Sequence, residues 1–243
     1  LAADSVELEK ENLMPDVKPM KRFFEKELYV LRSHLLQMGQ KSVEQVRLAV
    51  RALEEVDTKL AAWIRTQDDE LDRLEMEIDA EAMRYISLRG PVASELRLVV
   101  TAMSAGHEIE RMGDEATNIA KRAQKLAECQ PVPPLPKEFG LMADRVRSMI
   151  EDALTSFFEG DAEKALEVCR QDEEVDEMHK QFNKEMTRRM MGDSSIAPAV
   201  IELLFAARSL ERIGDHATNL AEDVLYLLRG EDIRHRSLKR ESK

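Results

Sequence analysis

The pattern Glu-x-x-x-Asp-x-x-x-Asn occurs twice in this 243-residue chain, as Glu110, Asp114 and Asn118 and again as Glu211, Asp215 and Asn219. On an α-helix, residues four apart share a face, so each triplet stacks three oxygen-bearing side chains in one ladder. Two like charges at that spacing destabilise a helix by about 0.2–0.5 kcal/mol when nothing offsets them. Each ladder also encloses a glycine, Gly113 or Gly214, which costs roughly 1 kcal/mol in a helix interior relative to alanine. A bound cation would offset the repulsion, because carboxylates are hard oxygen ligands suited to Mg, Mn, Fe or Zn. The preceding helix offers a matching set in Glu75 and Asp79, with Asp72 one turn earlier. In the second half Asp176 matches Asp72, while His179 and Asn183 stand where Glu75 and Asp79 stood. The ordinary alternative is a solvated acidic face, with Arg111 and Arg212 pairing locally.

These residues need long helices to position them. Ala, Leu, Glu, Arg, Lys and Met dominate, Gly and Pro are scarce, and no stretch shows the period of two of a half-buried strand. The pattern predicts an all-α protein. A first helix is expected from about Lys21 to Leu53, with one stripe of Phe24, Leu28, Leu31, Leu35 and Met38 and another of Leu36, Gly39, Val43, Val46, Val50 and Leu53. A second is expected from about Asp57 to Leu88, and a third from about Pro91 to Cys129, with Ile109, Met112, Ala116, Ile119, Ala123 and Leu126 in one row. Short connections between them imply antiparallel packing.

The segment 131–136, Pro-Val-Pro-Pro-Leu-Pro, cannot be helical and reads as a linker. Beyond it the plan repeats. Gln67-Asp68-Asp69-Glu70-Leu71-Asp72 matches Gln171-Asp172-Glu173-Glu174-Val175-Asp176, and the eleven residues from Glu110 match those from Glu211 at eight positions. The chain therefore reads as a tandem duplication of an antiparallel three-helix bundle. The divisions are a charged and flexible leader over 1–19, a first repeat over 20–130, a linker over 131–137, a second repeat over 138–230 and a basic tail over 231–243.

A formal charge of −12 argues against a nucleic-acid partner. No apolar run reaches the roughly 18–20 residues of a membrane span. Cys129 and Cys169 have neither metal-like nor redox-like spacing and read as small buried apolar residues in a reducing cytoplasm. The methionines read as core filling. A di-iron carboxylate oxidase or iron-storage bundle is the competing class, but it expects Glu-x-x-His pairs, and no histidine here has a glutamate three residues before it. A helical scaffold that binds no metal is the third.

The sequence resembles the PhoU family of phosphate-signalling regulators. The resemblance is carried by the two Glu-Arg-Met/Ile-Gly-Asp-x-Ala-Thr-Asn motifs, by Glu75 and Asp79, by Leu88-Arg89-Gly90-Pro91 ahead of Glu95-Leu96-Arg97-Leu98, and by the closing Gly230-Glu231-Asp232-Ile233-Arg234-His235. It implies two three-helix bundles related by pseudo-two-fold symmetry, and no enzymatic activity. It further implies a multinuclear Fe or Zn cluster, with Mn or Mg as alternatives. The ligands would be Glu75, Asp79, Glu110 and Asp114 in the first repeat and Glu211 and Asp215 in the second. Asp72, Asp176, Asn118, Asn219 and His179 are supporting candidates. The implied role is negative regulation of the phosphate-starvation response. It would be exercised at the cytoplasmic membrane face, between the ATPase subunit of the phosphate ABC transporter and a sensor histidine kinase, with a homodimer left open.

Overall fold

The computed structural model describes residues 18–230, with side chains from residue 27 onward except that of Asp68. Residues 1–17 of the leader, the basic tail, and the closing motif beyond Gly230 lie outside the described residues. Seven α-helices form: α1 (Lys18–Glu54), α2 (Thr58–Arg65), α3 (Asp68–Arg89), α4 (Ser94–Leu126), α5 (Lys137–Glu159), α6 (Ala162–Gly192) and α7 (Ala197–Arg229), with a short 3₁₀ turn at Ser194–Ile196 ahead of the last. No strand occurs among the described residues.

Most of the expected stripe residues whose side chains are described bury; Phe24 lies outside them. Leu31, Leu35, Met38, Val46 and Leu53 of α1 enter the core, as do Leu71, Leu74 and Ile78 of α3 and the whole row from Ile109 to Leu126 on α4. Leu36 stays largely exposed while Gly39 lies against α5, where a Cβ on it would come 2.7 Å from Leu154. Truncating a fully buried side chain such as Leu74 or Phe182 would cost about 2–5 kcal/mol. The methionines divide: Met38, Met112, Met142, Met149 and Met186 fill the core, whereas Met76, Met83 and Met191 are exposed. Cys129 and Cys169 are free and only half-buried, so neither is the fully buried residue expected.

The second helix of the first repeat is not continuous. It breaks at Thr66–Gln67, where the Thr66 hydroxyl donates to the Trp63 carbonyl at 2.7 Å and closes the last turn of α2. Asp68, Asp69 and Glu70 then open α3, where acidic residues favour the positive end of the helix dipole. In the second repeat α6 runs unbroken through the matching Asp172-Glu173-Glu174. Asp57 and Asp161 cap α2 and α6, each accepting two backbone N–H groups. Gly160, at φ 70°, makes the tight turn that reverses α5 into α6.

In the first repeat α3 packs on α1 and α4; in the second, α6 packs on α5 and α7. The halves join through α1 against α5 and, most extensively, α4 against α7. Cross-contacts fix α4 and α7 as antiparallel: Ser104 donates to Asp223, Arg212 to Glu115 at 3.0 Å, and Arg122 to Glu202 at 3.1 Å. The proline linker is held by Arg189, which donates to the Pro134 carbonyl at 2.9 Å.

Candidate metal centres

The first cluster lies between α3 and α4. Residues 75 and 79 are one turn apart on α3, and residues 107, 110 and 114 follow at helical spacing on α4. One ligand atom from each of Glu75, His107 and Glu110 lies within 4.8 Å of the other two. His107 Nδ1 is 3.1 Å from Glu75 Oε1, bridging the two helices. Burial pushes the Glu110 carboxyl up to about 7, and the charges of Asp114, Glu75 and Asp72 push the same way against the opposing effect of Arg111. Burial and Glu75 also raise Asp79. Glu110 Oε2 is buried and has no hydrogen-bond partner; Arg111 Nε stands 3.5 Å away in an ion pair without hydrogen-bond geometry.

His107 is absent from the sequence-based ligand set. The di-iron signature runs Glu-x-x-His, and here the order is reversed, His107-x-x-Glu110. Three residues apart still share a helix face, so this spacing is the signal that could have found it.

The second cluster lies between α6 and α7. Burial raises Glu211 to about 7, with Asp215, Asp176 and Asp172 adding to the rise and Arg208 opposing it. Asp172 and Asp215 are raised too, chiefly by burial. The Asp172 carboxylate accepts from the Thr218 hydroxyl at 3.2 Å. Glu211 Oε2 is buried without a hydrogen-bond partner, while Oε1 accepts from Arg208. Among the described residues no triad of ligand atoms converges here as it does in the first cluster.

The supporting candidates fare differently. Asp72 and Asp176 act on the buried glutamates through their charge. Asn118 instead donates to Glu115 at 3.2 Å and accepts from Lys121, and Asn219 donates to Glu108 across the α4–α7 interface. His179 Nε2 lies 3.0 Å from Asn183 Nδ2, and burial lowers its pKa. Gly113 serves close helix approach, since a Cβ there would stand 2.2 Å from Leu71 Cδ1. Gly214 meets nothing closer than 3.5 Å, so it does not share that role.

The donor set suits a divalent cation. In each repeat a buried carboxylate oxygen lacks a donor, and in the first an imidazole and carboxylates from two helices converge. Together with the duplicated bundle, these features define a class: a two-bundle helical protein with an acidic cluster inside each half. The PhoU domain model matches residues 35–123 and 139–224, one copy per repeat. The chain is 43% identical over 217 residues to the phosphate-specific transport system accessory protein PhoU homolog of Pseudomonas putida, covering 89% of this chain and 85% of that one. It is 42% identical to the Pseudomonas aeruginosa homolog, covering 89% and 90%. The crystal structure of PhoU from Pseudomonas aeruginosa superposes with a TM-score of 0.83 at 41% identity, over 86% of this chain and all of that one. PhoU from Streptococcus pneumoniae, a phosphate transport system regulatory protein, gives 0.80 at 29% identity, over 86% and 99%. The chain belongs to the PhoU family.

Proposed function

We propose that this protein is a metal-binding regulatory adaptor of phosphate-specific transport and a negative regulator of the phosphate-starvation response. Its partners would be the ATPase subunit of the phosphate ABC transporter and a sensor histidine kinase, met at the cytoplasmic membrane face. The observation that carries the reading is the match of both repeats to relatives named as accessory proteins of phosphate-specific transport. Those names describe accessory proteins, not enzymes, and family membership removes the ground for the di-iron oxidase alternative. No described helix is long and apolar enough to cross a membrane.

Glu75, Asp79, His107, Glu110 and Asp114 would hold a cation in the first repeat, and Asp172, Asp176, Glu211 and Asp215 in the second. A cation bound there supplies charge neutralisation and a cross-link between neighbouring helices, drawn from Zn, Fe or Mn where an imidazole contributes. The chain's own residues do the rest. His107 and Glu75 tie α4 to α3, Glu110 gives up its proton on binding, and the α4–α7 interface carries any change in one bundle to the other. Partner affinity would follow metal occupancy if partners distinguish the two states.

The test is elemental analysis of purified protein combined with a phosphate-responsive reporter in cells lacking the native copy. The wild-type chain should carry metal and silence the reporter in high phosphate. A variant combining Glu110→Gln and Asp114→Asn with Glu211→Gln and Asp215→Asn should lose metal and silencing together. Retained silencing in a verified metal-free variant would separate the adaptor role from the metal and remove the mechanism.

A further inference from the structure

The duplicated motif invites the assumption of two equivalent sites, and the positions around the buried glutamates contradict it. The repeats superimpose in sequence with an offset of 101 across α4 and α7, so the counterpart of His107 is Arg208. In the first repeat that position carries an imidazole which touches Glu75 and can donate an electron pair. In the second it carries a guanidinium, which is always charged and has no acceptor or ligand atom.

Arg208 does not point away. It donates to Glu211 Oε1, the counterpart of the Glu110 carboxylate that converges with His107 and Glu75. Its charge also acts on Asp215 and His179. Across the groove the exchange goes further, because Glu75 and Asp79 of α3 are replaced by His179 and Asn183, which hydrogen-bond to one another. The second cluster therefore lacks the carboxylates that Glu75 and Asp79 supply to the first and has a fixed cation beside its central glutamate. Glu211 is nevertheless only 7% exposed, and its Oε2 is buried with no hydrogen-bond partner.

We propose that Arg208 is a built-in counter-cation that makes the second cluster the weaker of two non-equivalent metal sites. The first site then fills at low metal and the second only when metal is abundant. Arg208 is thus a specificity-determining residue, and the chain reports two metal levels where a symmetric duplication would report one. This rests on the reading of both clusters as metal sites.

The experiment is calorimetric titration of the metal-free full chain with Zn2+ and, separately, Mn2+, with stoichiometry checked by elemental analysis. Two classes of site should appear, the second weaker by about 10- to 100-fold, the range typical when a group hydrogen-bonded to a ligand is changed. Arg208→Gln, which replaces the charge with a neutral amide, and Arg208→Leu, which brings no ligand atom, should both tighten the second class while leaving the first unchanged. His107→Arg should weaken the first class to the level of the second. Arg208 is half-exposed at its side chain, so Arg208→Gln is compatible with folding, and His107→Arg tests the same claim in the other bundle. Two equal classes in the wild type, or a second class that Arg208→Gln does not tighten, would overturn the inference while the metal-binding reading stands. A wild-type chain that takes up neither cation would overturn both.

Discussion

His216 Nδ1 on α7 lies 2.8 Å from Glu108 Oε2 on α4, and this contact joins the two bundles at one of the three positions where the duplicated motif differs. The counterpart of His216 in the first repeat is Glu115, which accepts from Arg212 of the other bundle at 3.0 Å. The pseudo-two-fold relation is thus kept in backbone and broken in chemistry, with each half supplying the partner that the other needs. Glu108 Oε2 also accepts from Asn219 at 3.2 Å. Hydrogen bonds to charged groups contribute about 1.5–3 kcal/mol. Glu108→Ala, which orphans both partners, should therefore destabilise the protein more than His216→Ala, each by no more than about 3 kcal/mol. Urea denaturation of the two variants orders them, and an equal or reversed order would remove the shared-acceptor role.

The two ladder glycines should respond in opposite directions to one substitution. Gly113→Ala places a methyl group 2.2 Å from Cδ1 of the buried Leu71, so the Leu71 side chain must shift. Overpacking of that kind costs about 1–3 kcal/mol. Gly214→Ala finds its nearest neighbour, Val175 Cγ1, at an ordinary 3.5 Å. There the gain in helix propensity, up to about 1 kcal/mol, should dominate. Denaturation midpoints that move the same way for both would contradict this account.

Metal affinity should separate His107 from Asn118, although only Asn118 belongs to the repeated motif. His107 converges with Glu75 and Glu110, whereas the Asn118 amide is engaged by Glu115 and Lys121. His107→Ala should weaken Zn2+ binding to the first site by about 10- to 100-fold. Asn118→Ala should leave it unchanged. A dye-competition assay measures both, and a loss on Asn118→Ala matching that on His107→Ala would place the ion elsewhere on α4.

Helical class, duplication, the non-helical segment 131–136 and the buried row on α4 were all legible in the sequence, because each depends on apolar period or on proline chemistry that acts locally. The break at Thr66–Gln67 was not. Its signal is a threonine hydroxyl competing for a backbone carbonyl, and the apolar row from Leu60 and Ile64 to Leu71 reads straight through it. The acidic ladders were legible as far as Glu110 and Glu211, whose burial follows from their place beside the apolar row. Asn118 and Asn219 engage Glu115, Lys121 and Glu108, because four-residue spacing fixes a face and not the partner a side chain finds there. His107 lay on that face three residues before Glu110, but only the helix opposite could reveal that Glu75 meets it.

The metal-free protein should lose stability as pH rises, opposite to the usual behaviour of ion-paired carboxylates. Glu110 and Glu211 are each raised from an ordinary 4.5 to about 7, first by burial and then by their acidic neighbours. Between those values the folded chain keeps protons that the unfolded chain releases, so unfolding becomes more favourable as pH climbs through that window. Asp79, Asp172 and Asp215 are raised as well and act in the same direction. His179 is lowered by burial and opposes them, adding stability as pH rises toward its unfolded value, but it stands against several carboxylates. In the presence of chelator, the urea midpoint should therefore fall from about pH 5 to about pH 8, and Glu110→Gln combined with Glu211→Gln should flatten that slope. Saturating Zn2+ should reverse it over the same range, because the cation replaces the protons and binds more tightly as they leave. A midpoint that climbs with pH in metal-free protein would mean that these glutamates are ionised and paired in the folded state, and the two clusters would then have no need of a cation.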